Sequence, residues 1–403
     1  MTKLMDVCEL IVDCPHTTAP DEGSGYPLIR TPNIGKGRLI LENVHRVCKE
    51  VYDARNARAI PQADDIILAR EAPAGNVALI QKGQEVCLGQ RTVLIRADKE
   101  KVNSAYLTYY LLAPKQQHDL KSSANGATVG HINIPKIRGL KVDLPVLNIQ
   151  NKIAGILSAY DNLIDNYRRQ IKLLEEAAQR LYKEWFVDLR FPGYEHTKIV
   201  DGVPEGWEKK SLTDVFDYVR GKSYTSKELS DTKGVLMVNL KNIRAFGGYN
   251  RHVEKRFLGT FKASQTLSAG DVVMGVTDMT SERRLVGRVA LVPILGEITT
   301  FSMDLIKLVP KMTDNIFIYS ALRYGGISNY ISSLANGVNV LHLKPEAING
   351  IDMLIPTNTI VLLYRQYVSP YFLRIEFLQN QITILTEARD RLLPKLMSGK
   401  IKI

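Results

Sequence analysis

The chain has 403 residues, 45% of them hydrophobic and 24% charged, enough for two to three domains with buried cores. No apolar run approaches the ~18–20 residues of a membrane helix and the first residues carry no charged-then-apolar signal, so a soluble, cytoplasmic chain is expected. The net charge is +11, but residues 1–145 hold 19 Lys/Arg against 16 Asp/Glu and residues 188–357 hold 21 against 18, so a polycationic tail is excluded and polyanion binding must rest on local patches.

Residues 1–145 read as mixed strands and helices. Strand-like runs lie at 27–30, 65–69, 77–80 and 91–95, separated by Gly, Asn and Asp turns. A helix is expected from Asn103 to Ala113, followed by a Ser/Asn/Gly loop over 122–130. The cysteines Cys8, Cys14, Cys48 and Cys87 all fall in this half, none at Cys-x-x-Cys spacing, so reduced thiols are expected rather than a metal or disulfide framework.

From Pro145 onward the pattern changes to a helix of some 40 residues, roughly 60 Å long at 1.5 Å per residue. Its apolar seam is expected at Ile149, Ile153, Ile156, Tyr160 and Leu163, then, after a one-residue slip, at Ile164, Tyr167, Ile171, Leu174, Ala178, Leu181 and Trp185. Alternating spacings of 3 and 4 place such residues along one side, ready for a partner helix. Asp161, Asp165, Arg168 and Glu175 are assigned to faces that stay in water, and Pro192-Gly193 to the helix end. Residues 192–357 repeat the order of the first domain, with a helix at 315–324. Residues 358–403 repeat the long helix, with a seam at Tyr364, Tyr367, Tyr371, Ile375, Leu378, Ile382, Leu385, Leu392 and Leu396. Pro370 stands inside it and predicts a bend or restart near Ser369.

The two halves share a constant offset of 211: Tyr160 falls on Tyr371, Ile171 on Ile382, Leu181 on Leu392, His131 on His342 and Pro145 on Pro356. Looser echoes place Asn33-Ile34 on Asn242-Ile243 and Asp65 on Asp271. One offset held over a helix and the loop before it marks a duplication. The expected architecture is α+β: two tandem α/β domains, 1–145 and 192–357, joined by two long antiparallel helices, 146–191 and 358–403, with pseudo-two-fold symmetry.

Polar and basic residues gather in corresponding loops. In the first domain they are Arg30, Thr31, Asn33, Lys36 and Arg38, then Arg70, then Ser123 and Asn125. In the second they are Asn239, Lys241, Asn242 and Arg244, then Thr277, Arg283 and Arg284, then Asn336. Arg, Lys and Asn are the side chains that meet guanine, adenine and phosphate, although solvated loops have the same composition. His131 and His342 have no carboxylate at useful sequence spacing and are read as structural. No phosphate-binding Gly-Lys-Ser/Thr loop, Asn/Asp-Pro-Pro-aromatic motif, Gly-x-Ser-x-Gly elbow or His-Glu-x-x-His pair occurs, so no catalytic or metal site is assigned.

Several segments resemble the specificity subunit of type I restriction-modification enzymes. They are residues 181–193 (Leu-Tyr-Lys-Glu-Trp-Phe-Val-Asp-Leu-Arg-Phe-Pro-Gly), Pro204-Glu205-Gly206-Trp207-Glu208, the join from Gly126 to Ile153, and the ending from Arg391 through Pro394 and Gly399 to Ile401. The second copy departs from the first in having Val361 where the first has Gln150. The resemblance implies two target-recognition domains that read two short half-sites of double-stranded DNA across an unread gap. It implies helices that dock adenine-specific methyltransferase subunits, with restriction subunits as further partners. S-adenosylmethionine, ATP and Mg would then sit on those partners, with no cofactor in this chain, which would be a non-catalytic address reader. Two other readings remain open: a coiled-coil scaffold joining two non-DNA modules, and a self-contained methyltransferase or nuclease.

Overall fold

The computed structural model describes residues 2–122, 131–251, 255–280 and 282–403. Its contacts divide the chain into two compact units, residues 1–167 with 381–403, and residues 168–380. Four helices organise them: α1 (Ser104–Leu112), α2 (Leu147–Tyr182), α3 (Asn315–Tyr324) and α4 (Asn358–Met397). The first unit therefore combines the amino-terminal domain with the start of α2 and the end of α4. The second combines the other domain with the end of α2 and the start of α4.

Each unit contains one sheet of a shared strand order, alongside a second sheet of its own. In the first, strands Cys8–Asp13, Thr92–Ala97, Ile66–Ala69, Val77–Leu79 and Gly37–Arg38 lie in that spatial order. In the second, Phe216–Arg220, Leu305–Pro310, Val272–Gly275 and Val289–Leu291 repeat the first four places. The fifth place is taken by Gly248, whose N–H donates to Val289 O at 2.8 Å. The strands that open and close each domain also pair, Thr2–Lys3 with Lys141–Val142 and Glu208–Ser211 with Asp352–Ile355. Near-continuous Val, Ile and Leu runs such as 66–69 and 272–275 fit strands covered on both faces. All eight of those positions are buried.

Half of each long helix completes each core. In the first unit Ile66, Leu68, Val93 and Ile95 from the sheet pack with Tyr106 and Leu107 of α1, Ile153 and Leu157 of α2, and Leu396 of α4. In the second, Val272, Met274, Ile306 and Leu308 pack with Phe317 and Leu322 of α3, Ala178, Tyr182 and Trp185, and Tyr364 and Val368 of α4. The helices run antiparallel within each unit. In the first, Asp161 meets Arg389 while Ile153 and Leu157 share a core with Leu396. In the second, Trp185 stacks edge-on to Tyr364 at 5.9 Å, while Glu175 shares a recess with Phe372 and Glu376.

The seam differs from its sequence reading in one respect. Ile171, Ile375, Leu378 and Ile382 are buried, while Ile156, Tyr160, Tyr167, Leu174, Leu181, Tyr371, Leu385 and Leu392 are only partly covered. Ile153, Ile164, Ala178 and Trp185 are buried as expected, while further covered positions lie one residue on from expected ones, at Leu157, Asp161 and Tyr182, and at Val368 in α4. Gln150, Ala154, Leu157, Asp161, Ile164, Ile171, Ala178, Tyr182 and Trp185 all fall on one unbroken alternation of 3 and 4, so no slip occurs. Asp161 was assigned to water, yet it is 2% exposed. Its carboxylate is tolerated there because the Tyr109 hydroxyl donates to Oδ2 at 2.5 Å and the Arg389 guanidinium pairs with Oδ1. A buried carboxylate is stable only with such partners.

The expected helix end at Pro192 and the restart near Ser369 are corrected. The α-helix stops at Tyr182 and widens into a π-helical turn, Lys183–Val187, well before Pro192. The wider turn lets consecutive aromatic residues face inward: Trp185 meets Tyr364, and Phe186 lies 5.1 Å from Phe317 and 4.9 Å from Tyr364. In α4 the helix continues through Pro370 without a restart. The proline is exposed, and the Ser369 hydroxyl donates back to Arg365 O at 2.7 Å.

Candidate nucleic-acid interface

The loop after the central strand of each sheet carries the polar candidates. In the first unit it follows Ile66–Ala69 and begins with Arg70 and Glu71. Arg70 is buried, and its Nε donates to Ile132 O at 2.9 Å while Ile132 N donates to Arg70 O at 3.0 Å. That exchange ties the loop to the segment bearing His131. His131 then meets Arg70 through Nε2 and Glu71 through Nδ1, the latter at 2.6 Å. Arg91 completes the group, 2.9 Å from the other Glu71 oxygen. Thr31 Oγ1 donates to Ala72 O at 3.1 Å, which brings the loop bearing Arg30 alongside. Two arginines and a histidine thus collect at one carboxylate, with the Arg30 loop alongside, an electropositive corner suited to phosphate or base edges. Glu71 serves His131 from 60 residues away in sequence, a partner that no local spacing reveals.

The second unit makes the same join with different side chains. Thr277–Asp278, which follow Val272–Gly275, pair with Leu341–His342 as a short antiparallel ladder. Thr277 is buried and donates to Asp304 Oδ1 at 3.1 Å. Asp278 is fully buried. Burial opposes its charge, but N–H groups of Leu285, Thr280 and Val286 and the Thr280 hydroxyl donate to it and hold its carboxyl below the usual range. Around that hub the loop is folded and presents Met279 and Arg284 to solvent. Arg284 lies 3.3 Å from Glu282, and Arg283 donates to Ser332 O and Ser333 O at 3.1 and 2.7 Å. Asn336 is exposed, bonded through its main chain to His342, and Val338 beside it is fully exposed.

The remaining candidates divide by burial. Asn33 and Asn242 are buried and do identical work. Asn33 Nδ2 donates to Ile40 O at 3.2 Å and its Oδ1 accepts from Arg30 N, while Asn242 Nδ2 donates to Asn250 O at 3.1 Å and its Oδ1 accepts from Asn239 N. Both hold a 3-10 turn, and the side chain of Asn239 accepts from Lys241 N. Arg38 and Arg244 point to the long helix α2, Arg38 to Asp165 at 3.2 Å and Arg244 to Glu175. Lys36 and Lys241 are exposed. Ser123 and Asn125 lie outside the described residues. The sequence reading missed Arg91, Met279 and Val338, of which only Arg91 has the residue type that such a search looks for.

Residues 1–176 match the family model described as the type I restriction modification DNA specificity domain. Over its whole length the chain is 26% identical to the type I restriction enzyme MjaIX specificity subunit of Methanocaldococcus jannaschii, covering 93% of that protein. It is also 22% identical to the HindI specificity subunit of Haemophilus influenzae, over 70% of this chain and 73% of that one. The fold is similar to the S subunit of a type I restriction-modification system from M. genitalium, with a TM-score of 0.56 at 18% identity, covering 98% of this chain and 95% of that one. Among the described residues no three His, Cys, Asp or Glu side chains come together to hold a metal ion, and no helix is long and apolar enough to cross a membrane.

Proposed function

We propose that the chain is a specificity subunit of a type I restriction-modification system, a reading supported by the family match over residues 1–176 and the whole-length similarity to such a subunit, and that each unit reads one short block of double-stranded DNA, the two blocks being separated by an unread gap. The observation that carries this reading is the repeated loop pair. In both units the loop after the central strand is joined by main-chain hydrogen bonds to the segment bearing His131 or His342, on sheets of the same order. The surrounding side chains differ between the copies, as two different half-sites require. Lys36, Arg91, Lys241, Arg284 and Asn336 are the side chains we assign to DNA contact in this scheme. Arg70, Thr31, Asn33, Asn242 and Thr277 support the loops from beneath.

The partners in this reading are adenine-specific methyltransferase subunits docked on the long helices, with restriction subunits as a further layer, in the cytoplasm. The chain itself is the address reader and not the catalyst. S-adenosylmethionine, ATP and Mg belong to the partners.

Selection of bound sequences from random duplex DNA, with the chain co-purified with its methyltransferase, tests the proposal. Enrichment of two short blocks at a constant gap is expected, with affinity that falls steeply as salt rises. An intact complex that enriches nothing would point instead to a scaffold for non-DNA modules.

A further inference from the structure

Asp165 on α2 and Glu376 on α4 stand 211 residues apart, the offset of the duplication, so they occupy one position of the repeat. Each receives an arginine from the same loop of its own unit, the one that follows the buried asparagine of the 3-10 turn. In the first unit Arg38 Nε lies 3.2 Å from Asp165 Oδ2, and its Nη2 donates to Asn162 Oδ1 at 2.8 Å. In the second, Arg251 Nη2 lies 2.9 Å from Glu376 Oε1, and the same oxygen accepts from Ile294 N at 2.7 Å. These pairs are enclosed, with side-chain exposures of 13% and 25% in the first and 14% and 20% in the second. Freely solvated ion pairs contribute little, whereas enclosed and multiply bonded ones are costly to break.

The arginines themselves do not correspond. Arg38 comes five residues after Asn33, and Arg251 nine after Asn242. The loops have diverged in length, yet each returns an arginine to the same helix position. Recurrence of a contact at a fixed helix site, from a shifted loop position, is what a requirement on the placement of the domain would leave behind. Close backbone approach reinforces it in the first unit. Gly37 has φ +95°, and a Cβ there would lie 3.1 Å from Asp161 Oδ2 of the same helix.

We propose that Arg38–Asp165 and Arg251–Glu376 are matched clamps that fix the angle at which each DNA-reading loop pair is carried on the helix following it, and so set the gap that the protein accepts. Arg38, Asp165, Arg251 and Glu376 are positioning residues, and none touches a base. The inference rests on the two-block reading proposed above.

The test uses the full chain with its methyltransferase subunit, and duplexes carrying both selected blocks at the native gap or at a gap one base pair longer or shorter. The variants are Arg38→Gln, Arg251→Gln, and the exchanges Arg38→Asp with Asp165→Arg and Arg251→Glu with Glu376→Arg. Wild type should prefer the native gap, and each Gln variant should lose about tenfold of that preference while base preferences inside both blocks stay unchanged. Each charge exchange should regain part of the loss by restoring the ion pair, although Glu376→Arg leaves the Ile294 N–H without its acceptor. Gln variants or folded exchange variants with the wrong outcome, namely unaltered gap preference in the former or no recovery in the latter, would overturn the clamps alone. A wild-type complex that selects no two-block target at all would overturn the two-block reading and the clamps with it.

Discussion

Asp161 shows at the scale of one residue how the long helices are pinned. An aspartate at a covered seam position is a liability unless its oxygens are answered, and here Tyr109 of α1 and Arg389 of α4 answer both. Removing one member leaves the other charge buried, so Asp161→Ala should destabilise the first unit by about 3–5 kcal/mol. Replacing Asp161 and Arg389 together with Leu should recover most of that, because the flanking seam positions Leu157 and Ile164 are buried and apolar. Urea unfolding of the two variants measures the difference, and equal losses would show that the pair is not the reason the aspartate is tolerated. The cysteines give a second residue-scale expectation. All four are free thiols; burial pushes Cys8 up to about 12 and Cys87 up to about 11. A thiol whose folded pKa is raised stays protonated at pH 8 and is a poor nucleophile. A chromogenic disulfide reagent at pH 8 should therefore leave Cys8 and Cys87 unreacted, and Cys14 shielded by its full burial, over the time in which it titrates all four in denaturant. Fast release from three or four thiols of the native chain would contradict the packing around them.

At the scale of elements, Pro370 offers the sharpest test. It withdraws the N–H that would bond to the Gln366 carbonyl, yet α4 is helical from Asn358 to Met397. The flanking turns compensate through the seam, where Val368, Ile375 and Leu378 are buried. Pro370→Ala should then raise the stability of the second unit by about 1–3 kcal/mol, read as a higher urea midpoint. A lower midpoint would mean that the proline fixes a bend the packing needs. The elements also divide into those legible from sequence and those not. Helices α1 to α4, the strands at 66–69 and 77–79, and the duplication were legible because each is a local periodicity or a constant offset. The sequence places part of the seam one residue off because residue type marks tyrosine as core and aspartate as surface, whereas the partners that reverse this lie 52 and 228 residues from Asp161. Glu71 at His131 was hidden for the same reason. Among the binding candidates, residue type pointed to the right loops but not to the exposed members. Asn33 and Asn242 have the chemistry of base readers, yet spend it on their own turns.

At the scale of the whole molecule, the chain crosses from one unit to the other inside α2, between Tyr167 and Arg168, and returns inside α4, between Asn380 and Gln381. Each unit owns its sheet, its loop pair and half of each helix, so the proposed gap depends on how much helix separates the two halves. Lengthening must respect the seam. The covered positions alternate by 3 and 4, so an insertion of seven residues restores the same face, whereas an insertion of two or five would turn apolar positions into water. Inserting seven matched residues after Tyr167 and seven after Asn380 adds about 10 Å of helix at 1.5 Å per residue. One base pair rises about 3.4 Å, so the accepted gap should grow by about three base pairs while the two blocks themselves stay the same. The same selection from random duplex DNA reads this directly, with thermal melting to confirm that the lengthened chain folds. A folded variant that still selects the original gap would show that the helices do not act as the ruler, and the separation of half-sites would then have to be set by the partner subunits.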